Sequence, residues 1–296
     1  MMKFALLRCC PTSIFLEQYE SSTDAVLREL GVAFMDIKEF NCCGYPLKNI
    51  DFKAYVLSSA RNLALAHRQG ANILTFCNCC FNTTRHIQQA LNEDAALTRE
   101  VNDILAKEDL SYQADVQVMH LFQVLYKEVG LEKIKAKIVK SFKDLKIATQ
   151  YGCHLLRPKD VVEFDDPIAP SIFDQLVEVT GAKSIDWPAK LDCCGSPVWG
   201  VDDQLSWDLT VRKLDDAGQS GADFLCSACV YCQLQFDRVQ KVQIAKNDSR
   251  QPLPSILYTQ LLGLGMGIDE AELGIDQNEL DSGGIRNYII KEDSAQ

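Results

Sequence analysis

Residues 41–49, NCCGYPLKN, and residues 192–200, DCCGSPVWG, repeat one pattern, Cys-Cys-Gly-x-Pro. Each cysteine pair follows a lone cysteine and precedes a Cys-x2-Cys knuckle, which gives C-x32-CC-x33-C-x2-C in the first half and C-x39-CC-x34-C-x2-C in the second. Both halves also contain Gly-Ala, at Gly70 and Gly221, 28 positions after the first cysteine of the pair. An internal duplication explains all of these matches at once.

The segments around the cysteines have the periodicity of alternating strands and helices. Residues 4–8 and 147–151 are short β-prone runs that end next to the lone cysteine of each half. Residues 54–69 have apolar side chains at helical spacing and stop before a glycine, and residues 73–76 then form a strand that leads into cysteine. The same order of helix, glycine, strand and cysteine recurs over residues 209–225 and beyond.

The fold class predicted from this order is α/β, with two duplicated α/β domains at residues 1–144 and 145–296, the second including a C-terminal tail. Helical segments over residues 119–129 and 132–142 are expected to carry the chain from one half to the other. Open α/β sheets bind their ligands beyond the C-terminal ends of the strands. We therefore expect cysteine-rich loops to gather there and to form two metal sites.

The composition limits the possible functions. The 296-residue chain carries a net charge of −11, which argues against a nucleic-acid or anionic-membrane surface, and we interpret the basic stretch 133–143 as a solvated helix face. No apolar run has the length of a membrane span and residues 1–8 do not resemble a secretory signal, so a cytoplasmic location is expected. Thirteen cysteines in such a chain indicate metal or redox chemistry and not a disulfide framework.

The spacing of the five repeated cysteines constrains the metal. A structural zinc ion takes four ligands, commonly from two Cys-x2-Cys knuckles, whereas each half has one knuckle. Adjacent cysteines have diverging side chains on Cα atoms about 3.8 Å apart, which suits one small ion poorly. A cluster of several irons accepts both thiolates, so iron–sulfur chemistry is favoured. Gly44 and Gly195 would allow close approach or positive φ, and Pro46 and Pro197 would stiffen the loop.

The local sequences carry a family resemblance. The duplicated motif resembles the CCG domains found in the B subunit of heterodisulfide reductase, over almost the whole chain. CNCCFN at residues 77–82 is similar to the first knuckle of that family, CVYCQLQFD at 229–237 to the second, and residues 257–276 to its C-terminal segment. The resemblance implies two noncubane 4Fe-4S clusters. The first would be held by Cys9, Cys42, Cys43, Cys77 and Cys80, and the second by Cys153, Cys193, Cys194, Cys229 and Cys232.

The resemblance also implies an activity. A disulfide would lie between the clusters, and electrons delivered one at a time would reduce it to two thiols, so that two motifs serve two sulfur atoms. The chain would be the catalytic subunit of a heterodisulfide reductase-like complex that reduces or reversibly forms a disulfide or a related sulfur substrate. Its partners would be the C-like iron–sulfur subunit and the A-like flavin subunit of such a complex. Residues 263–267, GLGMG, lack the context of a dinucleotide loop, and no ferredoxin-like run of cysteines is present, so electrons must enter through such partners.

Two alternatives remain open at this point. The motifs could only relay electrons, as in related subunits of lactate-, glycolate- or succinate-oxidising complexes. Outside redox chemistry, the two knuckles could belong to a zinc-stabilised scaffold subunit without catalytic activity. A scaffold predicts a colourless zinc protein, whereas a relay predicts paramagnetic clusters whose spectra do not respond to added thiols.

Three cysteines lie outside the repeated pattern. We interpret Cys10, Cys79 and Cys226 as structural, since a free cysteine is commonly a small buried hydrophobe. Cys226 is ambiguous because Cys226 and Cys229 also have Cys-x2-Cys spacing. The segment QLQFD after Cys232 favours Cys229 and Cys232 as the ligands.

Three further residues are candidates for direct roles in the chemistry. His154 follows a predicted ligand and is expected to hydrogen-bond cluster sulfur or to donate a proton to a nascent thiolate. Arg8 and Arg157 are candidates for holding an anionic group of the substrate. The remaining histidines are predicted to be structural: His67, His86 and His120.

Overall fold

Short runs of mostly buried residues form the strands in a computed structural model that describes residues 2–246 and 250–290. The first sheet contains β1 Phe4–Leu6, β2 Phe34–Met35, β3 Asn72–Thr75 and β4 Val118–His120. The second contains β5 Lys146–Gln150, β6 Lys183–Ile185, β7 Phe224–Ser227 and β8 Ser255–Leu257. The strands predicted at residues 4–8, 73–76 and 147–151 are confirmed with small shifts of their ends.

The two sheets have the same topology. Their strand orders are β2-β1-β3-β4 and β6-β5-β7-β8, and all neighbouring strands are parallel. In the first sheet Phe4 pairs with Phe34 on one side and with Asn72 on the other. Parallel neighbours require crossover connections, which helices supply here. The predicted α/β class with duplicated units is therefore confirmed.

Helices fill the connections between the strands. The first half contains α1 Thr12–Phe15, α2 Glu17–Glu29, α3 Phe52–Arg68, α4 Asn78–Glu93, α5 Ala95–Leu105, α6 Leu121–Gln123 and α7 Leu131–Lys135. The second contains α8 Cys153–Leu156, α9 Lys159–Val162, α10 Ile172–Glu178, α11 Asp203–Gln219, α12 Val230–Leu234, α13 Gln240–Ala245, α14 Tyr258–Gly265 and α15 Glu270–Leu273. Among the described residues, none of the helices combines the length and the apolarity needed to cross a membrane.

Helices α3 and α11 are close copies of one another. Each has 17 residues and follows an aspartate whose carboxylate accepts a hydrogen bond from the N–H three residues later, at 3.0 Å for Asp51 and 2.9 Å for Asp202. The turn after each helix contains a glycine with positive φ, Gly70 or Gly221. The helix predicted at 54–69 and the repeated order of helix, glycine and strand are thus confirmed.

The helices predicted between the two halves are partly wrong. Residues 119–129 begin in β4, and their helix begins only at Leu121. Residues 132–142 are helical only as far as Lys135. Beyond it, the N–H groups of Val139 and Lys140 donate to the carbonyl of Gly265 at 2.9 and 2.8 Å, so tertiary hydrogen bonds replace those of a helix. The basic stretch 133–143 is therefore largely exposed to solvent but is not a continuous helix face.

The two halves pack closely against each other. Helix α14 of the second half contacts α2 of the first, where the hydroxyls of Ser22 and Thr259 are 2.7 Å apart. Phe122, which follows β4, packs against Phe173 and Tyr258 with ring centroids 4.6 and 5.1 Å apart. One hydrophobic core includes residues from both halves. The predicted domain boundary at residue 144 stays a prediction.

Candidate metal centre

The strands that lead into cysteines place them at the C-terminal edge of each sheet. Cys9 lies three residues after β1 and Cys77 two residues after β3, and Cys153 and Cys229 have the same positions after β5 and β7. Because β1 and β3 are parallel neighbours, their C-terminal ends meet. The Sγ atoms of Cys9 and Cys77 are 3.2 Å apart.

The first thiol group consists of Cys9, Cys42, Cys43, Cys77 and Cys80. The Sγ atoms of Cys9, Cys77 and Cys80 lie within 4.8 Å of one another, and all three residues are buried. Hydrogen bonds from Cys10 and Cys43 lower the pKa of Cys42 to about 3. The pKa of Cys43 is raised, first by its hydrogen bond to Cys42 and then by its contact with Cys80. These contacts join the cysteine pair to the knuckle.

The second thiol group consists of Cys153, Cys193, Cys194, Cys229 and Cys232. The Sγ atoms of Cys194 and Cys232 are 3.4 Å apart. Hydrogen bonds from Cys153 and Cys194 lower the pKa of Cys193 to about 2, whereas the hydrogen bond to Cys193 raises the pKa of Cys153. The amide of Gln150 donates to the Cys232 sulfur at 3.6 Å. In both halves, contacts between individual thiols therefore connect the lone cysteine, the cysteine pair and the Cys-x2-Cys knuckle.

The glycine of each Cys-Cys-Gly motif fixes the loop against a helix. Gly44 and Gly195 both have φ of 92°, in the left-handed region that favours glycine. A Cβ at Gly44 would lie 2.8 Å from the carbonyl oxygen of Tyr55 on α3, and a Cβ at Gly195 would overlap the carbonyl oxygen of Ser206 on α11. The predicted need for positive φ and close approach is therefore confirmed at both positions.

Side chains of these helices also hold the cysteine pairs. The hydroxyl of Ser59 donates to the carbonyl of Cys43 at 2.6 Å, and that of Thr210 donates to the carbonyl of Cys194 at 3.0 Å. Both hydroxyls are fully buried. The second cysteine of each pair is thus held by its own half of the chain.

The two thiol groups fit iron–sulfur binding. Their donors are sulfur alone, and all thirteen cysteines are free thiols although several sulfur atoms lie close together. Five thiols packed together cannot all ionise without a compensating cation, because like charges at such distances repel strongly. Metal ions relieve that repulsion by binding the thiolates directly, and soft thiolates favour iron–sulfur clusters.

A cavity of about 230 Å³ lies between the two halves. Its lining includes cysteines of the second thiol group, Cys79 of the first half, and the rings of Tyr45 and Tyr231, whose centroids are 6.3 Å apart. The side-chain carbonyl oxygens of Asn78 and Gln150 have no hydrogen-bond partner among the described residues. Both residues line the cavity, and a buried acceptor without a partner requires one from a bound molecule or water.

His154 is the predicted chemical residue that the structure brings to this cavity. Its Nδ1 lies 3.1 Å from the Sγ of Cys79, and its ring packs edge-on against Tyr45 at 5.4 Å between centroids. Burial lowers the pKa of His154, which favours the neutral imidazole. Cys79 therefore faces the cavity, which the sequence did not predict.

Arg8 and Arg157 are not brought to the cavity. The guanidinium of Arg8 pairs with Asp24 and Asp36, each at 2.9 Å, and with Glu20 at 3.5 Å. Arg157 is exposed and does not line the cavity. Their role in holding an anionic substrate group stays a prediction that this geometry does not support.

Two other cysteines have different settings from one another. Cys226 lies within β7, is fully buried and packs in the hydrophobic core, and burial alone raises its pKa. This favours Cys229 over Cys226 as a member of the second thiol group. Cys10 is exposed, with its Sγ 3.8 Å from that of Cys42, and so is not the buried residue expected.

The remaining histidines have structural contacts. His67 pairs with Asp115 at 2.9 Å on the surface, and His86 contacts the carbonyl of Asn82 at 2.9 Å. His120 accepts a hydrogen bond from the N–H of Phe122 at 3.2 Å and so caps α6. None of the three lines the cavity.

The cavity residues that sequence reasoning missed include Cys79, Tyr45, Tyr231, Asn78 and Gln150. A signal for one of them was present, because Cys79 and Tyr231 occupy the same position of the two Cys-x2-Cys knuckles. A residue that differs between two otherwise similar motifs is a candidate for a function that only one half has. Tyr45 and Gln150 carry no comparable signal.

Comparisons with known proteins agree with this arrangement. The family model for the CCG cysteine-rich domain matches residues 6–85 and 147–237. The chain is 35% identical to the B subunit of the ferredoxin/F(420)H(2)-dependent CoB-CoM heterodisulfide reductase of Methanosarcina acetivorans, over 95% of this chain and 94% of that protein. It is 31% identical to the 8-methylmenaquinol:fumarate reductase membrane anchor subunit of Wolinella succinogenes, over 95% and 98% of the two chains.

A solved structure supports the fold. The crystal structure of a hypothetical protein from Helicobacter pylori superposes with a TM-score of 0.72 at 18% identity, and the match covers 94% of this chain. This chain spans only 51% of that structure. By its two matched cysteine-rich domains and its full-length relatives, the chain belongs to the CCG cysteine-rich family that includes the B subunit of heterodisulfide reductase.

Proposed function

We propose that the chain is the catalytic subunit of a heterodisulfide reductase-like complex, which reduces or reversibly forms a disulfide or a related sulfur substrate. The observation that carries the proposal is the cavity between the halves, which is lined by cysteines of the second thiol group and by Cys79, inside the knuckle of the first. A small sulfur compound in it would contact both halves of the duplicated chain. A protein that only stabilises a complex needs no such cavity.

The two thiol groups would hold two noncubane 4Fe-4S clusters. Cys9, Cys42, Cys43, Cys77 and Cys80 would bind the first, and Cys153, Cys193, Cys194, Cys229 and Cys232 the second. When bound, such clusters supply electrons one at a time. Reduction of a disulfide, RSSR′, to RSH and R′SH consumes two electrons and two protons, which agrees with one electron from each site.

The chain's own residues would position the substrate and handle protons. Tyr45, Tyr231 and the prolines at 46 and 197 line the cavity and limit the access of water. The unpartnered oxygens of Asn78 and Gln150 would accept hydrogen bonds from donors of the substrate or from a thiol product. His154, which contacts the Cys79 sulfur, would pass a proton to a nascent thiolate after first taking one up, because burial keeps its resting imidazole neutral.

The electrons would come from partner subunits. We propose the C-like iron–sulfur subunit of such a complex as the direct donor, with the A-like flavin subunit behind it, in the cytoplasm. The name of the Methanosarcina acetivorans relative supports such a complex, because it describes the B subunit of a CoB-CoM heterodisulfide reductase and therefore one part of a larger enzyme.

A second candidate function is electron relay without substrate chemistry. The similarity to a fumarate reductase subunit of Wolinella favours it, because that name describes an enzyme that acts on a different substrate. A relay protein would carry the same clusters but would bind no sulfur compound in the cavity. The two functions therefore differ in whether a thiol changes the spectra of the clusters.

The test is the content of iron, acid-labile sulfide and zinc in protein purified without oxygen, with electron paramagnetic resonance spectra recorded before and after addition of a thiol. Catalysis at two four-iron clusters predicts about eight irons and eight sulfides per chain and a signal altered by the thiol. An unchanged signal would favour electron relay. Zinc without sulfide would support the zinc-stabilised scaffold subunit.

A further inference from the structure

Equivalent buried positions beside the two cysteine pairs carry different charges. Asn62 and Lys213 each come 18 residues after the glycine of their Cys-Cys-Gly motif, on α3 and α11, and both are fully buried. The neutral amide of Asn62 donates to the carbonyl of Asn41 at 2.8 Å and accepts from its N–H at 3.0 Å. Asn41 directly precedes Cys42, so a neutral side chain fixes the start of the first pair.

Lys213 holds the equivalent loop of the second half with a positive charge. Its Nζ donates to the carbonyls of Ala189 and of Asp192, the latter at 3.1 Å, and lies 4.5 Å from the ring centre of Trp187. Asp192 directly precedes Cys193. Burial lowers the pKa of Lys213 to about 8, which still leaves the ammonium mostly protonated at pH 7.

Lys213 has no ion-pair partner among the described residues, and the acidic groups that act on it include the thiols of Cys232 and Cys194 and the carboxylate of Asp192, which raise its pKa. None of the ion pairs formed within residues 2–246 and 250–290 includes Lys213, and its hydrogen bonds go to uncharged carbonyls. The nearby Asp192 carboxylate is 46% exposed and pairs with Arg212 at 3.3 Å, so water and an arginine screen it. The equivalent Arg61 of the first half pairs with Glu108 at 2.8 Å. Lys213 is thus the buried charge that distinguishes the two loops.

We propose that Lys213 is a positioning residue that makes the metal site of the second thiol group easier to reduce than that of the first. This inference rests on the proposed function, since it requires a redox cluster in each group. Reduction adds negative charge, and a buried cation stabilises that charge more strongly than an exposed one because the local dielectric is low. Charge and hydrogen bonding around a cluster are known to set its reduction potential. The first electron to enter the chain would then reside beside Cys193 and Cys194.

The test is a reductive titration of the anaerobically purified full chain, followed by electron paramagnetic resonance, with Lys213→Gln and Lys213→Arg beside the unchanged protein. Glutamine keeps a hydrogen-bond donor but removes the charge. We expect two midpoint potentials, of which Lys213→Gln lowers only the higher one. At a fixed ambient potential the reduced-to-oxidised ratio of that site would fall about tenfold, which corresponds to about 59 mV for one electron. Lys213→Arg should restore most of the potential.

Asn62→Lys is the reciprocal variant, because it places an ammonium at the equivalent position of the first half. It should raise the lower midpoint potential and narrow the gap between the two. The inference is overturned if Lys213→Gln moves both midpoints equally or neither of them while iron stays bound. If Lys213→Gln loses iron, the test is made with Asn62→Lys instead. The inference is then overturned if Asn62→Lys keeps its iron and its lower midpoint potential is the same as in the unchanged chain.

The failure of this inference is distinguishable from that of the proposed function. Iron and sulfide content is measured on every sample before the titration. Absence of both from the unchanged chain would overturn the proposed function. If both sites contain iron but their midpoint potentials do not change with the charge at residues 62 and 213, only the role of Lys213 is overturned.

Discussion

The two halves of the chain share a framework but differ where they face the cavity. Each half has a parallel sheet of the same strand order, a glycine with φ of 92° in its Cys-Cys-Gly motif, and a helix hydroxyl bound to the second cysteine of the pair. Two positions at or next to the cavity do not match. Cys79 of the first knuckle corresponds to Tyr231 of the second, and Cys10 after the first lone cysteine corresponds to His154 after the second.

This difference shows which features the duplication preserved. Backbone devices that hold a sulfur-rich site are the same in both halves, because a metal centre tolerates little change in the direction of its ligands. Some side chains that line the cavity have diverged, so the two ends of the cavity are chemically different. A substrate with two unlike ends would therefore have a preferred orientation.

The largest expected effect comes from removing one thiol group at a time. Cys42→Ser and Cys193→Ser each delete the first cysteine of one pair, and each should lower the iron content by about half because one of the two proposed four-iron sites is lost. Disulfide reduction should be abolished in both, since the proposed reaction needs both sites. Iron analysis and a disulfide-reduction assay check this, with Cys226→Ser as the control.

Cys226 is a suitable control because it is fully buried in the core and outside both thiol groups. Its replacement should leave the iron content unchanged. Loss of iron from Cys226→Ser, with retention in the serine variant of Cys193, would contradict the membership assigned to the second group.

The next effect distinguishes the two residues that follow the lone cysteines. His154→Phe keeps an aromatic ring but removes the nitrogen that contacts Cys79, and we expect disulfide reduction to be slower by about 100-fold or more with iron retained. Cys10→Ala changes the equivalent position of the first half, which contacts the Cys42 sulfur at 3.8 Å but is exposed and does not line the cavity, and should slow the reaction less. Equal losses in the two variants would mean that the halves do not differ in this way.

The sequence alone predicted the framework better than the cavity. Repeated spacing located both cysteine motifs, and helical periodicity with a following glycine located α3, because these features depend on local backbone preferences. The segment 132–142 has helical periodicity, but Val139 and Lys140 bind the carbonyl of Gly265, a partner far away in sequence. The paired arginine at position 8 shows the same limit, since its carboxylates come from α2 and from the residue after β2.

A smaller effect compares the two motif glycines. Gly44→Ala and Gly195→Ala both force a side chain into positive φ, which costs about 1–3 kcal/mol of unfolding free energy. Gly195→Ala should cost more, because its Cβ would approach the Ser206 carbonyl more closely than a Cβ at Gly44 would approach Tyr55. Denaturant unfolding of the iron-loaded proteins measures both values.

Gly218→Ala is the matched control for these glycine variants. Gly218 lies within α11 and a Cβ there would meet no atom within 4 Å. Alanine should stabilise this helix by about 0.5–1 kcal/mol, because glycine loses more conformational freedom on folding. A destabilisation at Gly218 as large as that at Gly195 would show that the α11 helix tolerates no change, and that the loop contact is not the cause.

The last expected effect is a pH dependence of stability at one half only, because His120 ends β4 where the uncharged Leu257 ends the equivalent strand β8. Burial lowers the pKa of His120 to about 3. An unfolded histidine titrates near pH 6.5, so between that pH and about pH 3 the unfolded chain binds a proton that the folded chain does not. The free energy of unfolding therefore decreases by up to about 1.4 kcal/mol for each unit by which the pH is lowered. His120→Leu removes this dependence but also the 3.2 Å hydrogen bond from Phe122, at a cost of about 1 kcal/mol. The variant should therefore be less stable than the unchanged chain at pH 7 and more stable near pH 5. Denaturant unfolding at both pH values measures this. The same difference in unfolding free energy at pH 7 and at pH 5 would contradict a neutral buried imidazole.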